Sequence, residues 1–166
     1  MTEVSFYHLE TKPLDLVLPE LIEKCYERDW KTYIQCADKV MAQHIDKLLW
    51  SFKPDSFVPH GLDEAPQAQR KNFDKQQYAA QQPILIGTQA HNPNGASVRF
   101  LLAGCDIVAD DISNYQRIIV MFDGTDESAV NAARDQWKTY KSLPANAISA
   151  ITYWQQDMAG KWQKKA

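Results

Sequence analysis

The stretch RIIVMFDGTDESAVNAARDQWKTYK, Arg117 to Lys141, contains one complete strand–turn–helix unit. Ile118 to Phe122 runs apolar without alternation, the pattern of a strand covered on both faces. Gly124 marks the turn, and Thr125 is the predicted N-cap, with Asp126 and Glu127 suited to the positive end of the helix that follows. Helical spacing then continues to about Lys141. A strand buried on both faces needs helices on each side, so the rest of the chain should supply more such units.

It does. Downstream, Ala150 to Trp154 reads as a last strand; upstream, Ile84 to Ile86 and Arg99 to Leu102 are short strands of buried type. Near the N-terminus Val4 to Leu9 is a β-type run, ended by Glu10, Thr11, Lys12 and Pro13. Leu14, Val17, Leu18, Leu21, Ile22 and Cys25 then fall at the offsets of a helix buried on one face, which ends near Asp29. Thr32 to Cys36 is strand-like, and Met41, Ile45, Leu48 and Leu49 give Ala37 to Trp50 helical spacing. Alternating strands and helices predict a three-layer α/β domain with a largely parallel sheet and right-handed crossovers. Residues 1–166 read as one domain. Residues 63–82, polar and rich in Gln, read as a long surface loop or insertion, with room for a short helix within residues 65–77.

Bulk properties narrow the function. With 45% hydrophobic residues the chain can build a real core, and a net charge of −3 with a pI near 5.8 excludes a broad basic field for nucleic acid. Any partner must meet a local patch. Cys25, Cys36 and Cys105 show no C-x-x-C spacing and fit a reduced compartment. No basic start precedes a long apolar run, and no stretch of about 18 apolar residues occurs, so a cytoplasmic protein with no membrane partner is expected.

Catalytic and cofactor signals are sparse. The loop after the first strand, ETKP, has none of the glycines a dinucleotide site needs, and no G-x-x-x-x-G-K-[ST] occurs. No cofactor is expected. Among His8, His44, His60 and His91 no pair has the i, i+4 spacing of a helical metal site. His60, with Asp63 and Glu64 close by, could serve a small nucleotide- or metal-binding enzyme, or could simply bond backbone in its turn. The thiols lie in or near apolar-periodic segments, which favours packing over nucleophilic roles, and Ser56 and Ser113 lack a nucleophile-elbow setting. No catalytic constellation stands out.

Two features suit partners instead. In LLWSFKPDSFVPHGL, Leu48 to Leu62, Pro54 and Pro59 forbid one regular helix, so Trp50 and Phe57 sit at a helix end and in the turn after it. There they either plug the core or present a rigid apolar surface. On the helix ending at Lys141, a wheel puts Arg134, Lys138 and Lys141 within about 60° of each other. Val130, Ala133 and Tyr140 mark its buried side, and Trp137 falls between. That stripe is either a solvated helix face or a dock for an acidic, hydrophobic peptide.

Taken together, Phe6 and Tyr7 in the first strand, RDWKTYIQC, IDKLLWSFKPDSFVPHG, QPILIGT and RIIVMFDG…ARDQWKTYK resemble, in order, the chi subunit of bacterial DNA polymerase III. The resemblance runs nearly end to end, and LLW…SFVPH is its most specific part. It implies a Rossmann-like fold without nucleotide chemistry and a non-catalytic accessory role in the clamp-loader assembly. It implies further that Trp50 and Phe57 bind a psi-like subunit, forming a heterodimer. The acidic, Phe-ending C-terminal tail of single-stranded-DNA-binding protein would meet Arg134 for its carboxylate, with Trp137, Lys138, Lys141 and an apolar wall of Phe122 or Met121. A basic family position one turn before Arg134 is Val130 here. Direct nucleic-acid binding, through Lys138, Lys141 and the aromatics, is not expected of a chain with negative net charge.

Overall fold

The computed structural model describes residues 1–63 and 72–166. In chain order the elements are β1 (Thr2–Leu9), α1 (Leu14–Glu27), β2 (Thr32–Gln35), α2 (Lys39–Ser51), β3 (Gly61–Leu62), α3 (Lys75–Gln81) and β4 (Ile84–Gly87). Then follow β5 (Val98–Leu102), α4 (Ala109–Ile112), β6 (Arg117–Asp123), α5 (Glu127–Lys141), β7 (Ile148–Gln156) and β8 (Trp162–Lys164). The strands form one eight-stranded sheet in the order β3-β4-β2-β5-β6-β1-β7-β8. Every neighbouring pair is parallel except β7–β8. This is the three-layer, largely parallel architecture the alternating pattern predicts, and it is Rossmann-like, as the family resemblance implies.

Helices cover both faces, as apolar strands require. On one face Leu18, Ile22 and Cys25 of α1 and Ala42, Ile45 and Leu49 of α2 pack on Ile34, Ile84, Ile86 and Phe100. On the other, Ala79, Ile112, Ala133 and Tyr140 of α3, α4 and α5 pack on Phe6, Tyr33, Leu101 and Ile118. Asp38 caps α2, accepting from Met41 N at 2.8 Å. Burial pushes all three thiols above their ordinary value, Cys36 to about 12, so they stay protonated packing groups.

Three local readings change. The N-cap of α5 is Asp126, whose carboxylate accepts from Ser128 N at 3.0 Å and Ala129 N at 3.4 Å. Thr125 is occupied elsewhere, its backbone N–H and hydroxyl both donating to Asp123 Oδ1. Within the Gln-rich region, residues 75–81 form α3, capped by Asp74 and held by buried Ala79; of the segment 65–77 expected to have room for a short helix, residues 65–71 lie outside the described residues. The buried face of α5 includes Gln136, while Val130 is only part-buried. Gln136 can be buried because its amide donates to Cys105 O, Asp106 Oδ1 and Tyr140 Oη.

A buried arginine organises the crossover from β4 to β5. Arg99, 1% exposed, donates to Gln35 Oε1, Tyr115 Oη and the carbonyls of Gln89 and His91. Its guanidinium carbon lies 4.3 Å from the centre of the Tyr33 ring. The irregular loop between the strands thereby satisfies two carbonyls that no ladder supplies.

Candidate protein-interaction surfaces

The last turn of α2 and the segment after it send side chains both in and out. Val58 and His60 turn inward, while Trp50 and Phe57 are 56% and 58% exposed. Their ring centroids lie 5.1 Å apart, and Trp50 also meets the His60 ring at 4.9 Å. The turn is tied down: Lys53 Nζ donates to Glu23 Oε1 at 3.0 Å, and the Ser56 hydroxyl donates to Glu23 Oε2. Those two donors hold the Glu23 carboxyl below the usual carboxylate range. Two large rings thus stand outside the core on a braced backbone, which excludes the core-plug reading for them.

His60 is part of that brace. Its side chain is fully buried, with Nδ1 2.7 Å from Val58 O and Nε2 3.1 Å from both the carbonyl and carboxylate oxygens of Asp46. Asp63 turns instead to His91 Nε2, and Glu64 lies outside the described residues. No group of three metal-donor side chains occurs among the described residues.

A second surface lies at the edge of α5, where it meets the carboxyl ends of β1 and β7. An open cleft of about 650 Å³ is lined by His8, Val130, Arg134, Trp137, Tyr153 and Lys165 among others. Arg134 is exposed at its side, and Trp137 packs edge-on against Phe6 and Tyr153, at 5.4 and 5.7 Å. Lys141 Nζ lies 5.2 Å over the Trp137 ring. Lys138 is exposed but lies outside the cleft lining. Phe122, 5% exposed, sits under His8 and Tyr153 rather than in the wall, and Met121 belongs to the core of the opposite face. The apolar wall is Val130, Trp137 and Tyr153. Tyr153 comes from β7 and Lys165 from just after β8, so the periodicity of α5 carries no signal of either.

The cleft floor is closely fitted. His8 Nδ1 lies 2.7 Å from Tyr153 Oη, and Nε2 lies 3.1 Å from Glu10 Oε1. Burial pushes the His8 imidazole below its ordinary value; Glu10 opposes this and Arg134 adds to it. Gly124 brings the end of β6 against β1: its N–H donates to Leu9 O at 2.6 Å, and a Cβ there would overlap the His8 ring.

Fold and surfaces together define a Rossmann-like α/β domain with a braced aromatic pair at one site and an aromatic–basic cleft at another. The sequence matches the model of the family described as DNA polymerase III chi subunit, HolC, over residues 1–147. A "Probable DNA polymerase III subunit chi" from Rickettsia prowazekii (strain Madrid E) is 33% identical over 128 residues, covering 74% of this chain and 71% of that protein. A "DNA polymerase III subunit chi" from Pseudomonas aeruginosa PAO1 is 28% identical over 146 residues, covering 85% and 90%. The chain belongs to the DNA polymerase III chi-subunit family, a family of DNA replication. No helix among the described residues is long and apolar enough to cross a membrane.

Proposed function

We propose that this protein is a non-catalytic adaptor of the replicative polymerase, working in the cytoplasm. Trp50 and Phe57 would dock a psi-like clamp-loader subunit as a heterodimer, and the α5 cleft would take the acidic, Phe-ending tail of single-stranded-DNA-binding protein. The observation that carries the second contact is the pairing of an exposed guanidinium, Arg134, with an aromatic wall in one open cleft. A C-terminal Phe needs both: a planar donor for its carboxylate and an apolar face for its ring. Lys141 would add long-range attraction. Tethering through such a tail raises the local concentration of polymerase on coated template without any new contact to DNA.

The test is a titration of a fluorescent peptide ending in Asp-Ile-Pro-Phe against wild type and Arg134→Ala at low and moderate salt. Saturable binding, weakened in the mutant by about 1–3 kcal/mol and weakened by salt, is the expected result. Equal binding by both proteins removes Arg134 from the reading; absence of binding by wild type removes the tail.

A further inference from the structure

A further set of aromatic and basic groups lies on the opposite face, along β1, β7 and β8. The helices over that face, α1 and α2, bury their apolar residues mainly against β2, β4 and β5, with Leu9 and Met121 at the margin. Tyr7, Trp154 and Trp162 are therefore only part-buried. Tyr7 stands beside Trp154 in the β1–β7 register and meets the Trp162 ring at 4.9 Å, and Lys164 is the β8 partner of Trp154.

Tyr7 also lines a cleft of about 130 Å³ with Lys24, Arg28, Trp30 and Arg117. There two guanidinium groups bracket one indole, with Arg28 Cζ 4.9 Å and Arg117 Cζ 5.0 Å from the centre of the Trp30 ring. An arginine stacked on a ring keeps its N–H edge free to donate to a phosphate. Arg117 pairs with Glu3; Lys24, Arg28 and Lys164 form no ion pair among the described residues. The α1 carboxylates Glu20, Glu23 and Glu27 bear on Lys53, beside the Trp50 turn.

We infer that this strip, from Trp30 through Tyr7 to Trp154 and Trp162, binds single-stranded DNA. Rings interleaved with unpaired cations on an open sheet face suit a single strand, whose bases stack while its phosphates take the cations. The net charge of −3 excludes a global field but says nothing of a local strip. Trp154, Trp162 and Lys164 lie beyond the residues matched to the family.

The experiment is fluorescence anisotropy of a labelled oligothymidylate of about 15 nucleotides, within the span of one small-domain site, against the full chain across a salt series. Saturable binding that salt weakens is expected, with quenched tryptophan fluorescence. In the double variant Arg28→Gln/Lys164→Gln, both exposed positions, the slope of log K against log salt should fall by about 1.4, two phosphates at about 0.7 each. Trp154→Ala should weaken binding at every salt concentration, and Arg134→Ala should bind as wild type. No saturable binding at low salt overturns the inference. So does oligonucleotide binding lost in Arg134→Ala but kept in the double variant, or full displacement by an acidic peptide. Titrating the Phe-ending peptide against the same preparations reads the α5 cleft separately, so the two readings fail independently.

Discussion

The indole of Trp50 and the ring of Phe57 lie 5.1 Å apart and more than half exposed, although their backbone is braced through Glu23, Val58 and Asp46. Rigid exposed rings contribute little to folding and much to association. Trp50→Ala and Phe57→Ala should each change stability by no more than about 0.5–1 kcal/mol in urea denaturation. Each should abolish co-elution with a psi-like subunit on size exclusion. A large drop in stability with co-elution intact would make the pair structural.

Gly124→Ala should behave oppositely. The added methyl meets the His8 ring and lies 2.6 Å from Leu9 O, on strands that are hydrogen-bonded together. Overpacking of this kind costs about 1–3 kcal/mol. The urea midpoint should fall, and peptide affinity at the α5 cleft should fall with it because His8 forms the cleft floor. An unchanged midpoint would show that the ends of β1 and β6 separate freely.

Arg99 and Arg134 offer a contrast within one residue type. Arg99→Leu removes four hydrogen bonds, leaving the His91 carbonyl unpaired and the Gln89 carbonyl with the Tyr33 hydroxyl alone, so a loss of about 3 kcal/mol is expected. Arg134→Ala, at an exposed position, should leave the thermal midpoint nearly unchanged. Calorimetry of both variants checks the pair.

His8 gives a pH dependence. Its folded pKa is below its unfolded value, so between the two the unfolded chain binds more protons and stability rises with pH. The contribution is present above the unfolded pKa of about 6.5 and is lost as pH falls through the folded value. The thermal midpoint of wild type should therefore drop more between neutral and mildly acidic pH than that of His8→Gln. Equal drops would assign the dependence to other groups.

How much of this was legible in the chain depends on range. The strand in RIIVMF and the helix ending at Lys141 announce themselves because an element's own periodicity reflects which of its faces are covered. The absence of a glycine-rich turn after β1 and the proline-broken segment carrying Trp50 and Phe57 are equally local facts, whereas the exposure of those two rings is decided by the tertiary structure. The two-residue strand Gly61–Leu62 and the three-residue strand Trp162–Lys164 have no period to read, since each is held by the edge it joins. Asp126 rather than Thr125 caps α5 because Asp123 captures the threonine.

The walls of the candidate sites are least legible. Tyr153 faces Trp137, and Trp162 faces Tyr7, only because β7 lies beside β1 and β8 beside β7. Gln136 is buried only because Asp106 and Cys105 arrive from a loop some thirty residues away. Elements follow from nearest-neighbour patterning, which each segment records for itself. Sites follow from the order of strands across the sheet, which depends on how all segments bury their faces together.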